Sequence, residues 1–438
     1  MLDRHATALL RRLTRWLDQF KDCFGHRAQH VSLRQYVDGL LGDSVRKSMS
    51  AMLERISEPT SYQAFQHFIT HAPWNAEVVW RRLRAVTPPR TGILILDETS
   101  FPKSGPHSVG VARQYCGALG KVANCQVAVT AALWTGQRAW PMGAALYLPQ
   151  AWTTDPGRCA TARIPPSVRF QEKWRLALTL LRQTRAAGIT LTAVVADAEY
   201  GDNSTVRQTL HRLRIPYALG ISPTLTMFRG TPRLRIDRQQ PPPRNRRDGW
   251  PDQAPVSVRT LSDAVPTRAW RRVAWRNGTN PVWEADFVAM RVTPTTEWRR
   301  RQLAPEVWLL CERGLGPTGR RRHYLVALPA SASLTQLVRL AHHRWAIEQH
   351  YQDLKTELGL DHFEGRTYPG WQHHIVISAV AYAFIQRERM RPRDGPPLTF
   401  PQARAFVQEI FTGLLFISRP RYMQWMKQAE QRFRQLRM

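Results

Sequence analysis

The chain has 438 residues and a hydrophobic fraction of 43%, enough for two or three domains with a sizeable core. Lys and Arg total 63 against 33 Asp and Glu, a net charge of +30, which points to a polyanionic partner and fits nucleic acid better than a membrane surface. No basic amphipathic anchor stands out, no apolar run approaches the ~18 residues that span a bilayer, and the opening Met1-Leu2-Asp3-Arg4-His5 lacks a signal-peptide pattern, so a cytoplasmic setting is expected.

Residues 1–88 read as short helices, among them 6–20, 33–41 and 76–86, punctuated by Thr87-Pro88-Pro89. A β-rich block follows, with strands expected at 93–97, 108–116 and 124–134. Residues 167–187 have the apolar spacing of an amphipathic helix ended by Gly188. Then come a strand at 191–196, a helix at 204–213 and a strand at 217–221. Antiparallel strands followed by alternating helix and strand predict an α/β fold with a mixed sheet. Residues 230–255 are rich in Pro, Arg and Gln, and 241–247 within them read as an exposed basic loop. From 256 to 328 the pattern is β-like, with Trp270, Trp275, Trp283, Trp298 and Trp308. That stretch is expected to form a β-rich insertion domain, with most of the Trp building its core. Helical regions at 371–391 and 402–436 close the chain.

Five Cys (23, 116, 125, 159 and 311) without CxxC spacing read as reduced, mostly buried thiols. Only seven basic residues are Lys, at 21, 47, 103, 121, 173, 355 and 427. In a chain that uses Arg by default, the position of a Lys is mildly informative. His342, His343, His350, His362, His373 and His374 crowd one region, but their spacing does not make a zinc motif.

Three acids stand where chemistry would need them. Asp97 ends the apolar run Ile93-Leu94-Ile95-Leu96, and Asp197 ends Ala193-Val194-Val195-Ala196. Both runs read as buried strands, whose ends hold a carboxylate rigidly at the edge of a sheet. Glu98 directly follows Asp97, but Asp97 directly follows the run and is the expected ligand of the two. Glu348 lies in the helical stretch from Arg344 to Lys355. There Arg344, Glu348, Tyr351 and Lys355 share one face at i, i+4, i+7 and i+11. Two strand-end Asp and a helix Glu, brought together, make an oxygen-rich site for Mg²⁺. For each acid taken alone, a helix cap or a surface ion pair is the competing explanation.

The segment Leu96-Asp97-Glu98-Thr99-Ser100-Phe101-Pro102-Lys103-Ser104-Gly105, continuing to Gly117, closely resembles one in bacterial insertion-sequence transposases of the DDE, RNase H-like type. So do Ala196-Asp197-Ala198-Glu199-Tyr200-Gly201-Asp202 and the stretch from Leu354 to Arg366. The resemblance runs from about residue 90 to 390. It implies an RNase H-like catalytic core in two parts, 89–228 and 326–395, separated by the β-rich insertion 229–325. Outside that range, the short helices at 1–88 are expected to form a helical DNA-binding domain, since helices preceding a catalytic core can enter a major groove, and 396–438 a C-terminal helical region. The resemblance also implies a metal-dependent enzyme that cuts DNA at transposon ends and joins the freed 3′-OH to target DNA. Asp97, Asp197 and Glu348 would hold two Mg²⁺, with Mn²⁺ able to substitute. A related branch carries a Tyr-(2)-Arg-(3)-Glu-(6)-Lys pattern, matched here by Arg344, Glu348 and Lys355, while Ala341 occupies the Tyr position. Arg344 and Lys355 suit phosphate contact, one as a fork and one as a point charge. Lys103 and Arg113, in the first motif, are expected near the DNA backbone. The implied partners are transposon terminal inverted repeats, target DNA and a second copy of the chain in a synaptic complex. Two other readings compete: a domesticated DNA-binding protein whose catalytic centre is unused, and an RNase H-like nuclease that cuts without joining.

Overall fold

The computed structural model describes residues 4–235, 250–276, 283–295, 303–315, 319–392 and 394–419, and then 424, 427–428 and 431–432. The basic loop expected at 241–247, and Trp298, lie outside the described residues.

Five helices open the chain: α1 (Arg4–Asp18), α2 (Arg27–Leu41), α3 (Met49–Glu54), α4 (Tyr62–Thr70) and α5 (Ala76–Val86). Each of the last three starts at a polar cap: Ser48, Ser61 and Asn75 accept from Ala51 N, Ala64 N and Glu77 N. Four strands follow: β1 (Thr91–Pro102), β2 (Ala112–Cys116), β3 (Lys121–Trp134) and β4 (Ala139–Tyr147). Two short helices, α6 (Gln150–Thr153) and α7 (Pro156–Thr161), lead to α8 (Lys173–Ala186), and Gly188 follows with a φ of 75°. The helix starts six residues later than its expected bound at 167. Residues 167–172 place Val168 and Phe170 two apart, which cannot continue a helical face, and Phe170 is exposed.

Next come β5 (Thr190–Ala196), α9 (Ala198–Gly201), α10 (Ser204–Arg212), β6 (Tyr217–Ile221) and β7 (Thr226–Arg229). The two-residue strands β8 (Leu234–Arg235) and β9 (Trp250–Pro251) pair apart from the rest, and β10 (Val256–Ser257) leads into α11 (Val258–Asp263). Four longer strands, β11 (Arg271–Arg276), β12 (Trp283–Pro294), β13 (Val307–Arg313) and β14 (Arg321–Ala327), precede the last helices. These are α12 (Leu334–His342), α13 (Trp345–Gln352), α14 (Tyr368–Arg389) and α15 (Phe400–Ser418).

The strands make one large mixed sheet in the order β10-β7-β12-β13-β14-β6-β5-β1-β3-β2, with β4 on β3 and β11 on β12. β1, β5 and β6 run parallel, and the other pairs are antiparallel. The β-like stretch from 256 to 328 therefore does not build a sheet of its own. Its strands continue the central sheet, because β14 hydrogen-bonds to β6 from Ala327 opposite Tyr217 to His323 opposite Ile221.

Both faces of the central strands are covered, which is why Leu94, Ile95 and Leu96 are all buried in succession. Leu94 and Leu96 belong to the main core, which also holds Leu180 and Leu181 of α8. Ile95 faces the other way, into a cluster with Ala132, Trp134, Ala346 and Ile347 beneath α13. α14 is buried around its whole circumference, from Ile375 to Ile385 without a break. Helices α1, α2, α4 and α5 share their core with it. His373 bridges α14 to this helical layer through the carbonyls of Ile69 (2.7 Å) and Trp74 (2.9 Å). Among the described residues no helix is long and apolar enough to cross a membrane.

Candidate active site

β1 carries Asp97 opposite Thr130 of β3, on the face covered by α13. Its side chain is 10% exposed. The Arg344 guanidinium donates to Asp97 Oδ2 at 2.6 Å, and the Glu98 backbone N–H donates to Oδ1 at 2.9 Å. Burial pushes the Asp97 carboxyl up to about 6; Arg344 opposes the shift, and the charge of nearby Asp197 adds to it.

Asp197 follows β5 directly and caps α9, accepting from Glu199 N at 3.0 Å. Burial raises its pKa as well, against the pull of Arg344. The helix beneath it is held close to the sheet. A Cβ at Gly201 would run into the Gly220 carbonyl oxygen on β6, so only glycine lets α9 lie this near.

Arg344 stands just before α13 and faces three carboxylates. Besides its bond to Asp97, its Nη2 lies 3.6 Å from Glu348 Oε1. Burial lowers the guanidinium pKa, but Asp97, Asp197 and Glu348 outweigh it and the net shift is upward. Glu348 itself is 69% exposed at the side chain and reaches the aspartates only through Arg344. The structure thus brings Asp97, Asp197 and Arg344 together and leaves Glu348 at the rim. Among the described residues no three His, Cys, Asp or Glu side chains are gathered closely enough to form a ready metal cage.

Asp197, Arg344 and Glu348 line one groove of about 850 Å³. Its far wall holds Arg259, Arg320, Arg321, Arg322 and Trp283, whose side chain is half exposed. Trp275 stacks on His342 (3.8 Å between ring centroids) beneath the same groove. Trp270 is buried, and Trp308 donates to the Pro329 carbonyl. This basic and aromatic wall comes from the 256–328 stretch, whose Trp content was visible in sequence but whose approach to Asp197 was not.

The other expected DNA-facing residues lie elsewhere. Lys355 falls in a π-helical turn, Asp353–Glu357, that continues α13. Its Nζ donates to the Ser100 carbonyl at 3.0 Å and lies 5.5 Å over the Phe101 ring. Burial lowers its pKa. It therefore ties the helix to β1 and does not share the open face of Glu348. Lys103 Nζ donates to the Phe363 carbonyl at 2.6 Å, and burial lowers its pKa too. Arg113 is exposed on the edge strand β2. None of these three lines the groove.

Sequence reasoning passed over Lys173, Glu98, Glu199 and Tyr200 as a group. Glu98 points to the opposite face of β1 from Asp97. There Lys173 Nζ donates to Glu98 Oε2 (2.8 Å) and Glu199 Oε2 (3.0 Å), and the Tyr200 hydroxyl approaches Glu98 Oε1 (3.4 Å). The signal available was the rarity of Lys.

Asp97 was expected at a strand end but lies within β1, which runs on to Pro102 because it stays paired with β3 as far as Cys125; only Asp197 follows its strand directly. Two neighbouring carboxylates beside a basic groove define a candidate phosphate-processing enzyme. The chain belongs to the DDE superfamily endonucleases, whose family model matches residues 19–282, more than half of its length. Asp97 and Asp197 fall within that match; Arg344, Glu348 and Lys355 lie beyond it. The chain is 30% identical over 190 residues to the probable transposase for insertion sequence element IS701 of Microchaete diplosiphon. That match covers 42% of this chain and 46% of the relative, so the chain spans about half the length of the curated relative it matches. A cryo-EM structure of the piggyBac transposase synaptic complex with hairpin DNA overlaps 91% of this chain and 73% of that one. Its TM-score of 0.40 and 9% identity make the likeness too slight to assign a fold.

Proposed function

We propose that the chain is a DDE transposase that cuts DNA at the ends of an insertion sequence and joins the freed 3′-OH to target DNA. In this reading β1, β3, β5 and β6 belong to an RNase H-like core, and the strands from 256 to 328 are an insertion that extends its sheet from β6. The observation that carries the reading is the meeting of Asp97, within β1, and Asp197, just after the adjacent parallel strand β5, across Arg344 and beside a groove walled by arginines.

The donor set suits a hard divalent cation: one buried and one half-buried carboxylate, compensated by one guanidinium. Asp97, Asp197 and Glu348 would hold Mg²⁺, or Mn²⁺ in its place. Two such ions, when bound, activate the attacking oxygen and stabilise the leaving one. Glu348 joins the set once Arg344 turns from the carboxylates toward a DNA phosphate, which its planar fork suits. Arg259 and Arg320–322 track the backbone along the groove. In the first reaction water attacks the phosphodiester and leaves a 3′-OH. In the second that hydroxyl attacks a target phosphodiester, one P–O bond forming as another breaks. Two copies of the chain, each on one terminal repeat, make the synaptic complex, and the N-terminal helices contribute to recognising the repeats.

Asp97→Asn, Asp197→Asn and Glu348→Gln each keep shape but remove an anionic ligand. Each is expected to lower Mg²⁺-dependent cleavage of terminal-repeat DNA by at least about a hundredfold, some 2.7 kcal/mol, with DNA affinity nearly unchanged. A variant that keeps more than about a tenth of wild-type cleavage, a loss under ~1.4 kcal/mol, takes its residue out of the set. Cleavage without joining of a supplied 3′-OH end would identify a nuclease instead of a transposase.

A further inference from the structure

The backbone ladder between β1 and β5 ends where Ile95 faces Val195. Both aspartates lie two residues beyond that point, so no β1–β5 backbone pair ties the segments that carry them. On the opposite face of the sheet a side-chain bridge takes over. Lys173 holds Glu98, the residue after Asp97, and Glu199, two residues after Asp197. Tyr200, fully buried on α9, reaches the same Glu98. Lys173 stands at the first position of α8, where a cation opposes the helix dipole. Its place there is explained by the two carboxylates and by the Tyr147 ring 5.6 Å away.

We propose that Lys173 is a positioning residue: it clamps Glu98 to Glu199 and so fixes the separation of Asp97 and Asp197. This rests on the reading of the two aspartates as metal ligands. Lys173 touches neither of them; it acts through the backbone that each shares with its glutamate. Support of this kind, one shell behind the ligands, commonly decides metal affinity.

The test is Mn²⁺ titration calorimetry on the full chain, with thermal unfolding of each variant as a check on folding. Wild type is expected to bind Mn²⁺, and Asp97→Asn to weaken binding sharply. Lys173→Met is expected to weaken it by about tenfold, the lower end for loss of a supporting partner. The sign discriminates, because removing a nearby cation would by charge alone tighten binding. Lys173→Arg, which keeps two donors and the charge, is expected to recover most of the loss. Lys173→Met binding as tightly as wild type, or more tightly, overturns the clamp while leaving the aspartate site standing. Wild-type binding that does not depend on Asp97 overturns both. If Lys173→Met does not fold, Glu199→Asp keeps the charge but draws the carboxylate one methylene back from Lys173 at a half-exposed position: a loss of about threefold or more upholds the clamp, and unchanged affinity overturns it.

Discussion

Asp97 and Glu98 are neighbours in the chain, yet their carboxylates meet different partners: Arg344 on one face of the sheet, Lys173 on the other. Strand alternation enforces this, and a one-residue slip would exchange the two roles. The choice of Asp97 from sequence rested on its place after an apolar run; in the structure Asp97 is the one of the two that meets Arg344. Gly201 matters at the same scale. It lets α9, and with it Asp197, rest on the Gly220 carbonyl of β6. Gly201→Ala must push the helix outward. Its expected cost is about 1–3 kcal/mol of stability, the usual range for overpacking, read by urea unfolding. Cleavage is expected to fall by more than that stability loss explains, because Asp197 moves with α9.

At the scale of elements, Lys47 makes a case that titration can check. It is buried between α2 and α3, and its Nζ donates to the Gly42 carbonyl at 2.7 Å. Arg404 of α15 donates to the same oxygen at 2.6 Å. Burial, and then the Arg404 charge, lower the Lys47 pKa from 10.5 to about 7. Between those values the unfolded chain holds a proton that the folded chain has released. Stability from this group therefore rises as pH climbs from about 7 toward 10.5, by at most about 1.4 kcal/mol per pH unit. Urea unfolding of wild type and Lys47→Met at pH 7 and pH 9 measures it: the wild type gains on the order of 2 kcal/mol relative to the variant. Equal pH slopes would mean that Lys47 stays protonated in the fold.

Much of the architecture near the site was legible because its signals are local. Continuous apolar runs marked β1, β5 and β6, and the helix at 76–86 was placed to the residue. What was not legible is non-local. Nothing in the composition of 256–328 says that β14 pairs with β6 rather than closing a separate sheet. The helical wheel put Lys355 beside Glu348, but the turn at Asp353–Glu357 widens to a π-helix and directs Lys355 to Ser100. The Glu98–Lys173–Glu199 bridge joins residues up to 101 positions apart, and only the fold brings them together.

For the whole molecule, the N-terminal helices are not a detachable reader. They share a core with α14, Trp16 donates to the Val380 carbonyl, and Arg12 pairs with Glu388 at 2.6 Å. A fragment starting at residue 89 would expose that apolar face, so DNA recognition by residues 1–88 has to be tested by surface substitutions, not truncation. The charge of the whole chain is better suited to a measurement. The net +30 is met locally by five arginines on the groove, at 259, 320, 321, 322 and 344. Arg321, Arg322 and Arg344 already pair with Asp263, Glu312 and Asp97, and DNA phosphates would have to displace or share those partners. Each phosphate neutralised releases close to one counterion, so five contacts give a log–log slope of affinity against salt of about −4 to −5. Arg259→Ala with Arg320→Ala is expected to make the slope shallower by about 2, equally for terminal-repeat and unrelated DNA. Filter binding between low and physiological salt reads both values. A slope near zero in the wild type would mean that DNA does not track this groove, and an unchanged slope in the double variant would place the phosphates on another face.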